Sequence, residues 1–437
     1  MTTPEVAMTL QRIVLIALIA VSGVVPVRAE IPPPGTVITA ENMAKYAEVL
    51  FPTAEYFLRN GMTITVAPYR KWEWPKLYKE ATEKFSSQVV LRPDGSAIDN
   101  YVAGAPFPQI DANDPMAGSK WIWNHEQNPA YSDNIGMGWN VELVNAKGER
   151  ERFFSSRFWR RMRWRGRLVM DPKPVAEHSP AISYTEQWGP LDDPSDLAGA
   201  GILNIRYIAP EHADDTYMYL PALRKVRRLS IANRSDSFWG TDIDIDSIWS
   251  FNAKIPFWKF RVLGEKQILH PFHAGGYGRR DAWCAQPDGA SGIKSFAFCL
   301  SWELRPMVIV EGIPSGYTQY AYAKKVVYID KEWLSCSFSE VYDHGGQIWK
   351  AWFMAMHAAK KPGDAGVVGG PEWDEEKIVA THGGMVDFQL NHVSKWDGPD
   401  AYLWPNFDVK HWYIDEPREW NTPENFTINY LISSGTF

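Results

Sequence analysis

Apolar residues recur with helical spacing at two places near the start of the chain. Met43, Tyr46, Ala47 and Leu50 fall on one face of a helix that Thr39 would cap and Pro52 would end. Leu77, Tyr78, Ala81 and Phe85 form the inward face of a second helix, with Pro75 in its first turn. Helical signals of this quality then become scarce. From about Gly138 the pattern changes to short runs of period two, broken by Gly, Pro, Asn and Asp: Trp139–Val144, Leu203–Ile208, Val262–Leu269, Ser295–Leu300, Lys325–Ile329, Leu334–Val341, Ile348–Met356 and Met385–Leu390. The clearest hairpin joins Lys325–Ile329 to Leu334–Val341 through Asp330-Lys331-Glu332, and Asp343-His344-Gly345-Gly346 turns it into the next strand. The pattern predicts a mainly β protein with N-terminal helices, built on one large curved antiparallel sheet with the helices packed on or into it. No tandem repeat, low-complexity block or linker divides residues 30–437, which are expected to form a single domain.

Residues 1–29 read differently. Arg12 precedes an apolar run from Ile13 to Val21, and Val27-Arg28-Ala29 supplies the positions a signal peptidase reads, so this is an export signal and the mature chain is expected to start at Glu30. Pro26 and Arg28 close the run where a membrane span would continue. The first cysteine is Cys284, which excludes a lipid anchor on a processed N-terminal cysteine. The expected product is soluble and exported, periplasmic in a cell with two membranes. Losing Glu5, Arg12 and Arg28 moves the net charge from −7 to −8, which argues against nucleic acid as a partner. Cys284, Cys299 and Cys336 allow at most one disulfide, so one thiol stays free. The 21 Trp, 19 Tyr and 20 Phe suit sheets and ligand-facing walls, and equally a large aromatic core.

Within this acidic chain, eight arginines fall in the eighteen residues from Arg150 to Arg167. As a strand, Arg161-Met162-Arg163-Trp164-Arg165-Gly166-Arg167-Leu168 puts four guanidinium groups on one face and Met162, Trp164 and Leu168 on the other. Internal carboxylates or water would satisfy such a row. Phosphate or carboxylate headgroups are the functional alternative, since guanidinium grips them bidentately. Arg224, Lys225, Arg227 and Arg228 form a second basic cluster, expected on an adjacent strand. Asp242, Asp244 and Asp246 resemble the start of a calcium loop, but Ser247 replaces its glycine and Ala253 its bidentate Glu. They read as a solvated acidic turn or as partners of the arginines. His270 and His273 approach metal spacing without further ligands, and nucleophile-elbow and phosphate-loop motifs are absent. Neither a metal nor a cofactor is expected. Phe437 at the end of the chain raises a transmembrane barrel, yet counting back by twos gives Gly435, Ser433, Leu431 and Asn429, a poor lipid-facing strand.

Several phrases together carry a family resemblance. They are Tyr101-Val102-Ala103-Gly104-Ala105-Pro106-Phe107-Pro108, Asp114-Pro115-Met116-Ala117-Gly118, Trp123-Asn124 and Tyr219-Leu220-Pro221 with Arg224, Val226, Arg227 and Arg228. Phe238-Trp239-Gly240-Thr241-Asp242 and Lys325-Val326-Val327-Tyr328-Ile329-Asp330-Lys331-Glu332 complete the set. In this order the chain resembles the bacterial domain of unknown function 1329 family, described as similar to outer-membrane lipoprotein-sorting proteins. The resemblance implies a half-open antiparallel β-barrel with helices at its mouth, enclosing an apolar cavity of the kind used to carry lipids or lipoproteins. The expected function is therefore a non-enzymatic, exported carrier or accessory protein for a lipid or other hydrophobic ligand, serving envelope transport or a membrane surface. Arg161, Arg163, Arg165 and Arg167 are its expected rim contacts, with Trp164 packing behind them. Two alternatives remain: a hydrolase of polysaccharide or lipid, with carboxylates assembled by the fold in a polar cleft, and an interaction scaffold with a filled core.

Overall fold

The period-two runs become strands in the computed structural model, which describes residues 30–130, 133–176, 181–230, 232–274, 300–316, 319–360, 373–397, 412–415 and 421–436. The export signal, Cys284, Cys299 and residues 295–299 of one expected strand lie outside the described residues. Among those described, seventeen strands join one sheet. Its order runs from Lys225–Leu229 at one edge through Asp215–Leu220, Gly201–Tyr207, Ile182–Trp188, Arg150–Arg163, Asn134–Val144 and His392–Asp397. It continues through Lys377–Asp387, Ile348–Ala359, Cys336–Tyr342, Lys324–Asp330 and Ser301–Pro314 to Trp258–His270. These pairings are antiparallel. Ile64–Val66 pairs in parallel with the start of Ser301–Pro314, which makes the sheet mixed. No described pairing joins the two edges, so the sheet is not closed into a barrel.

The predicted hairpin is present, with Tyr328 opposite Phe338 and Val327 opposite Ser339. Its turn is held by Asp330, whose Oδ1 accepts the Glu332 N–H at 2.8 Å. The following turn places Gly346 at φ 79°, where a side chain would be strained.

Alternation along the central strands sorts apolar side chains onto two buried faces. Val327, Ile329, Trp352, Met354 and Met356 join one core; Val326, Tyr328, Phe353 and Ala355 join the other. The N-terminal segment covers the second face. It contains a 3-10 helix, Met43–Val49, and an α-helix, Ala54–Arg59, that the sequence reading missed. Because a 3-10 turn repeats every three residues, Met43, Tyr46 and Val49 point inward and Ala47 is exposed, against the expected α-helical face.

The first face is covered by Lys76–Phe85, which starts after Pro75 as predicted, and by a further helix, Ala117–Glu126. In Lys76–Phe85 the inward residues are Tyr78, Ala81 and Thr82, whereas Leu77 is exposed. The helices thus divide between the two faces and do not gather at one mouth. At the C-terminus the chain forms a helix, Ile428–Ser434, capped by Thr427 and packed through Leu431 on Leu203 and Tyr219. No helix among the described residues is long and apolar enough to cross a membrane.

Candidate functional site

Between the Lys225–Leu229 and Trp258–His270 strands lies a segment with little regular structure, residues 236–257, in which every residue from Thr241 to Ile255 is buried. Irregular backbone inside a protein must find partners for its N–H and C=O groups. The alternation of Asp242, Ile243, Asp244, Ile245 and Asp246 meets this need by sending isoleucines into the apolar core and carboxylates into a row of buried donors.

Asp246 accepts from Arg234 Nε at 2.7 Å and from the Tyr320 hydroxyl at 2.6 Å; Asp244 accepts from the Tyr322 hydroxyl at 2.5 Å. Asp242 accepts from His392 Nδ1 at 2.9 Å and the Ser394 hydroxyl at 2.8 Å. Lys325 and Lys350 donate to the carbonyls of Asp246 and Asp242, at 2.7 and 2.9 Å, and Arg206 to that of Asn252 at 2.8 Å. His125 donates from Nε2 to the Phe251 carbonyl at 2.8 Å, which leaves its Nδ1 to accept the Ser335 hydroxyl. The aspartates are therefore neither a solvated turn nor the partners of Arg161–Arg167. Burial pushes the Asp244 carboxyl above its ordinary range, although Lys325 and Lys350 oppose it. Among the described residues no cluster of ligating side chains could hold a metal ion.

Between this segment and the sheet lies an apolar cavity of about 30 Å³. Met137, Trp139, Val141, Trp188, Trp352 and Trp396 line it from the sheet, while Phe238, Trp239, Ile243, Ile248 and Trp249 line it from the segment. Its one polar lining residue among those described is Thr241. The indoles touch in series: Trp239 stacks on Trp139, Trp139 meets Trp188 edge-on, and Trp159 contacts both Trp188 and Trp249, at centroid distances of 5.5 and 4.8 Å. The indole N–H groups of Trp139, Trp188, Trp239 and Trp352 are buried with no hydrogen-bond partner among the described residues.

The Arg150–Arg163 strand forms part of this wall, and its arginines do not lie as the sequence predicts. Regular pairing ends at Arg163, and the chain then turns through Gly166 at φ 74°, so the four-guanidinium face does not form. Arg161 is buried over the ring of Tyr184, 3.6 Å from its centroid, with Glu186 at 3.8 Å. Arg163 is buried too, donating to Gln127 Oε1 at 2.5 Å and the Glu126 carbonyl at 3.1 Å. Arg167 donates to the carbonyls of Arg163 and Pro172, at 2.7 and 2.9 Å, and so staples its own turn. Trp164 and Met162 do share a face, packed with Ala176 and Phe426, while Leu168 packs against the main core. Arg160, two residues before Met162, is wholly buried beside Gln187, Phe426 and Tyr430, and burial lowers its guanidinium to about 10.

Two larger cavities with mixed charged and apolar linings flank the turn. One of about 480 Å³ is lined by Arg163, Asp133, Lys76, Lys377 and Asp415; another of about 420 Å³ by Arg165, Arg206, Lys254 and Glu126; Tyr101 and Gln127 border both. Most of their carboxylates are engaged: Glu375 accepts the Lys76 N–H at 3.0 Å and Asp99 pairs with Arg92 at 3.0 Å, while Asp374 and Glu211 line the cavities with no hydrogen-bond or ion-pair partner among the described residues. Asp133 accepts the backbone N–H groups of Leu168, Val169 and Met170 at 2.6–3.0 Å, Asp415 accepts that of Asp133 at 2.8 Å, and Glu126 holds Arg206 at 2.8 Å. The hydrolase alternative needs two carboxylates facing each other, and backbone N–H groups and Arg206 already occupy Asp133, Asp415 and Glu126.

The other candidates have structural places. His270 is buried, which pushes it well below its ordinary pKa, and His273 lies 3.0 Å from Glu303. Cys336 is a free, buried thiol raised to about 12 by burial. The second basic cluster sits on the edge strand Lys225–Leu229 and the turn before it, with three strands between it and Arg150–Arg163, and so not on an adjacent strand.

A family model described as a protein of unknown function, DUF1329, matches residues 37–403. No curated protein matches the chain. Among solved structures, the chain is similar to a domain described as that of an outer-membrane lipoprotein-sorting protein from Vibrio parahaemolyticus, at 16% identity and TM-score 0.47, covering 73% of this chain and 100% of that one. A DUF1329 family protein from Desulfovibrio piger gives 15% identity and TM-score 0.43, covering 69% and 92%. A LolA superfamily protein from Nitrosomonas europaea gives 11% and 0.35, covering 68% and 92%.

Proposed function

The chain belongs to the DUF1329 family, and from that premise we propose that it is an exported, periplasmic, non-enzymatic carrier of a lipid or other hydrophobic ligand. In this reading residues 1–29 direct export and the curved sheet works as a half-open barrel whose interior residues 236–257 fill. The observation that carries it is the cavity between that segment and the sheet, walled by aromatic and aliphatic side chains with Thr241 as its one polar lining residue among those described. An apolar molecule crossing water needs such a wall to desolvate it. Ligand cavities usually span about 300–1,000 Å³, whereas this one holds about 30 Å³. Cargo therefore enters by displacing the segment, and the polar partners of Asp242, Asp244 and Asp246 hold the closed form.

An anionic headgroup would be held beside the turn that follows the Arg150–Arg163 strand, with Arg163 facing one of the two larger cavities and Arg165 the other. Arg161, Arg167 and Trp164 keep that turn in place through Glu186, the Pro172 carbonyl and Thr185. The test is titration of the mature protein with a dibrominated fatty acid, whose bromines quench nearby indoles. Saturable quenching near one equivalent, weakened in Arg165→Gln, is expected. Quenching that grows linearly without saturation contradicts the reading.

A further inference from the structure

The free edge of the sheet carries a basic hairpin in an acidic protein. Asp215–Leu220 and Lys225–Leu229 pair from Thr216 opposite Leu229 to Leu220 opposite Lys225, and the chain turns between them through Pro221–Leu223 with Arg224 at φ 46°. The Lys225–Leu229 strand has a neighbour on one side only among the described residues. Val226 turns inward toward Leu203, Tyr219 and Leu431. Arg224, Lys225, Arg227 and Arg228 are exposed, and so are Ala222 and Leu223 at the tip, the latter to 49%. Arg228 pairs with Asp215, whereas no described carboxylate lies within 4.0 Å of Arg224, Lys225 or Arg227. The chain as a whole carries −7, so this local excess of cations reverses the sign of the molecule.

We propose that this hairpin docks the protein on an anionic phospholipid surface, with Arg224, Lys225 and Arg227 on the phosphates and Leu223 at the level of the headgroups. The inference rests on the carrier reading for its purpose, since cargo must be collected or delivered at a membrane, but on the hairpin alone for its chemistry. A bilayer offers many phosphates without fixed geometry, which suits cations that stand free on a strand edge, and an apolar tip gains by leaving water at the interface. The acidic remainder of the molecule is repelled from the same surface, so attraction confined to one edge also orients it.

The experiment is flotation of the mature chain with vesicles of phosphatidylcholine alone or with about 30 mol% phosphatidylglycerol, a density of anionic lipid that attracts basic segments. Binding to the anionic vesicles and not the neutral ones is expected, with release at about 0.5 M salt, where charges are screened within a few ångströms. Each cation contributes about fivefold, so the triple variant Arg224→Gln, Lys225→Gln, Arg227→Gln weakens binding by about a hundredfold. Leu223→Ser weakens it further. A control triple variant at the exposed Lys45, Lys79 and Lys147, each to Gln, leaves it unchanged. Equal flotation with both vesicles, flotation with neither, or undiminished binding by the hairpin variant overturns the proposal. The fatty-acid titration uses no vesicles, so failure of docking and failure of the carrier reading are read separately.

Discussion

Buried charge defines the chemistry of this protein at the scale of single residues. Arg234 donates to Asp246 Oδ1 at 2.7 Å, Asn204 Oδ1 at 2.6 Å and the Asn252 carbonyl at 3.1 Å, with Asp214 at 3.8 Å. Removing one partner of such a group strands the others, so Arg234→Met is expected to cost about 3–5 kcal/mol in chemical denaturation. His392 gives a pH dependence of known sign. The Asp242 carboxylate, and Glu151 at 3.4 Å, raise the imidazole above its ordinary pKa. A raised group binds its proton more tightly when folded, so its contribution is complete below the ordinary histidine pKa and is lost as the pH rises through the raised one. In His392→Asn that alkaline-side decline should shrink, as read from denaturation midpoints across pH 5–9; an unchanged profile contradicts the pairing. The sequence announced that the arginines need anionic or polar partners, because eight of them fall within eighteen residues. It could not announce which, since Glu186, Gln127 and the Pro172 carbonyl reach them only through strand pairing and a turn. The acidic run misled for the same reason: apart from Arg234, its partners Tyr320, Tyr322, His392 and Ser394 come from some 75 to 150 residues further on.

Among the elements, strands were legible and helices less so. Alternation located the Lys324–Asp330 and Cys336–Tyr342 hairpin because its turn residues and both strands are local in sequence. The helix Ala117–Glu126 escaped because Gly118 and Ser119 break its apolar pattern, and the structure gives Gly118 its reason. A Cβ there would come within 2.8 Å of the backbone of Phe260 and Arg261, so the glycine lets the helix lie directly on the edge strand Trp258–His270. Gly118→Ala should therefore destabilise by about 1–3 kcal/mol despite its better helix propensity. Leu77→Glu tests the corrected face of Lys76–Phe85: Leu77 is exposed, so its denaturation midpoint should shift by no more than about 0.5 kcal/mol, whereas an inward Leu77 would cost several times that.

For the whole molecule, the central strands of the sheet bury both of their faces and the chain covers one of them with its own residues 236–257. A solvated face would leave polar residues at every second position, and the near-continuous apolar run from Ala351 to Met356 records its absence. The large sheet was thus readable, while the segment that covers one of its faces was not, because nothing in an irregular segment's pattern distinguishes a buried strap from a surface loop. That cover sharpens the central claim, since a carrier in its closed form must open to load. The direct test is native mass spectrometry of the mature protein purified from its own exported compartment, with organic extraction of whatever is bound. A stoichiometric apolar molecule, lost on extraction and regained from a total lipid extract, is the predicted result. A clean apo mass with no uptake from that extract would contradict the carrier account.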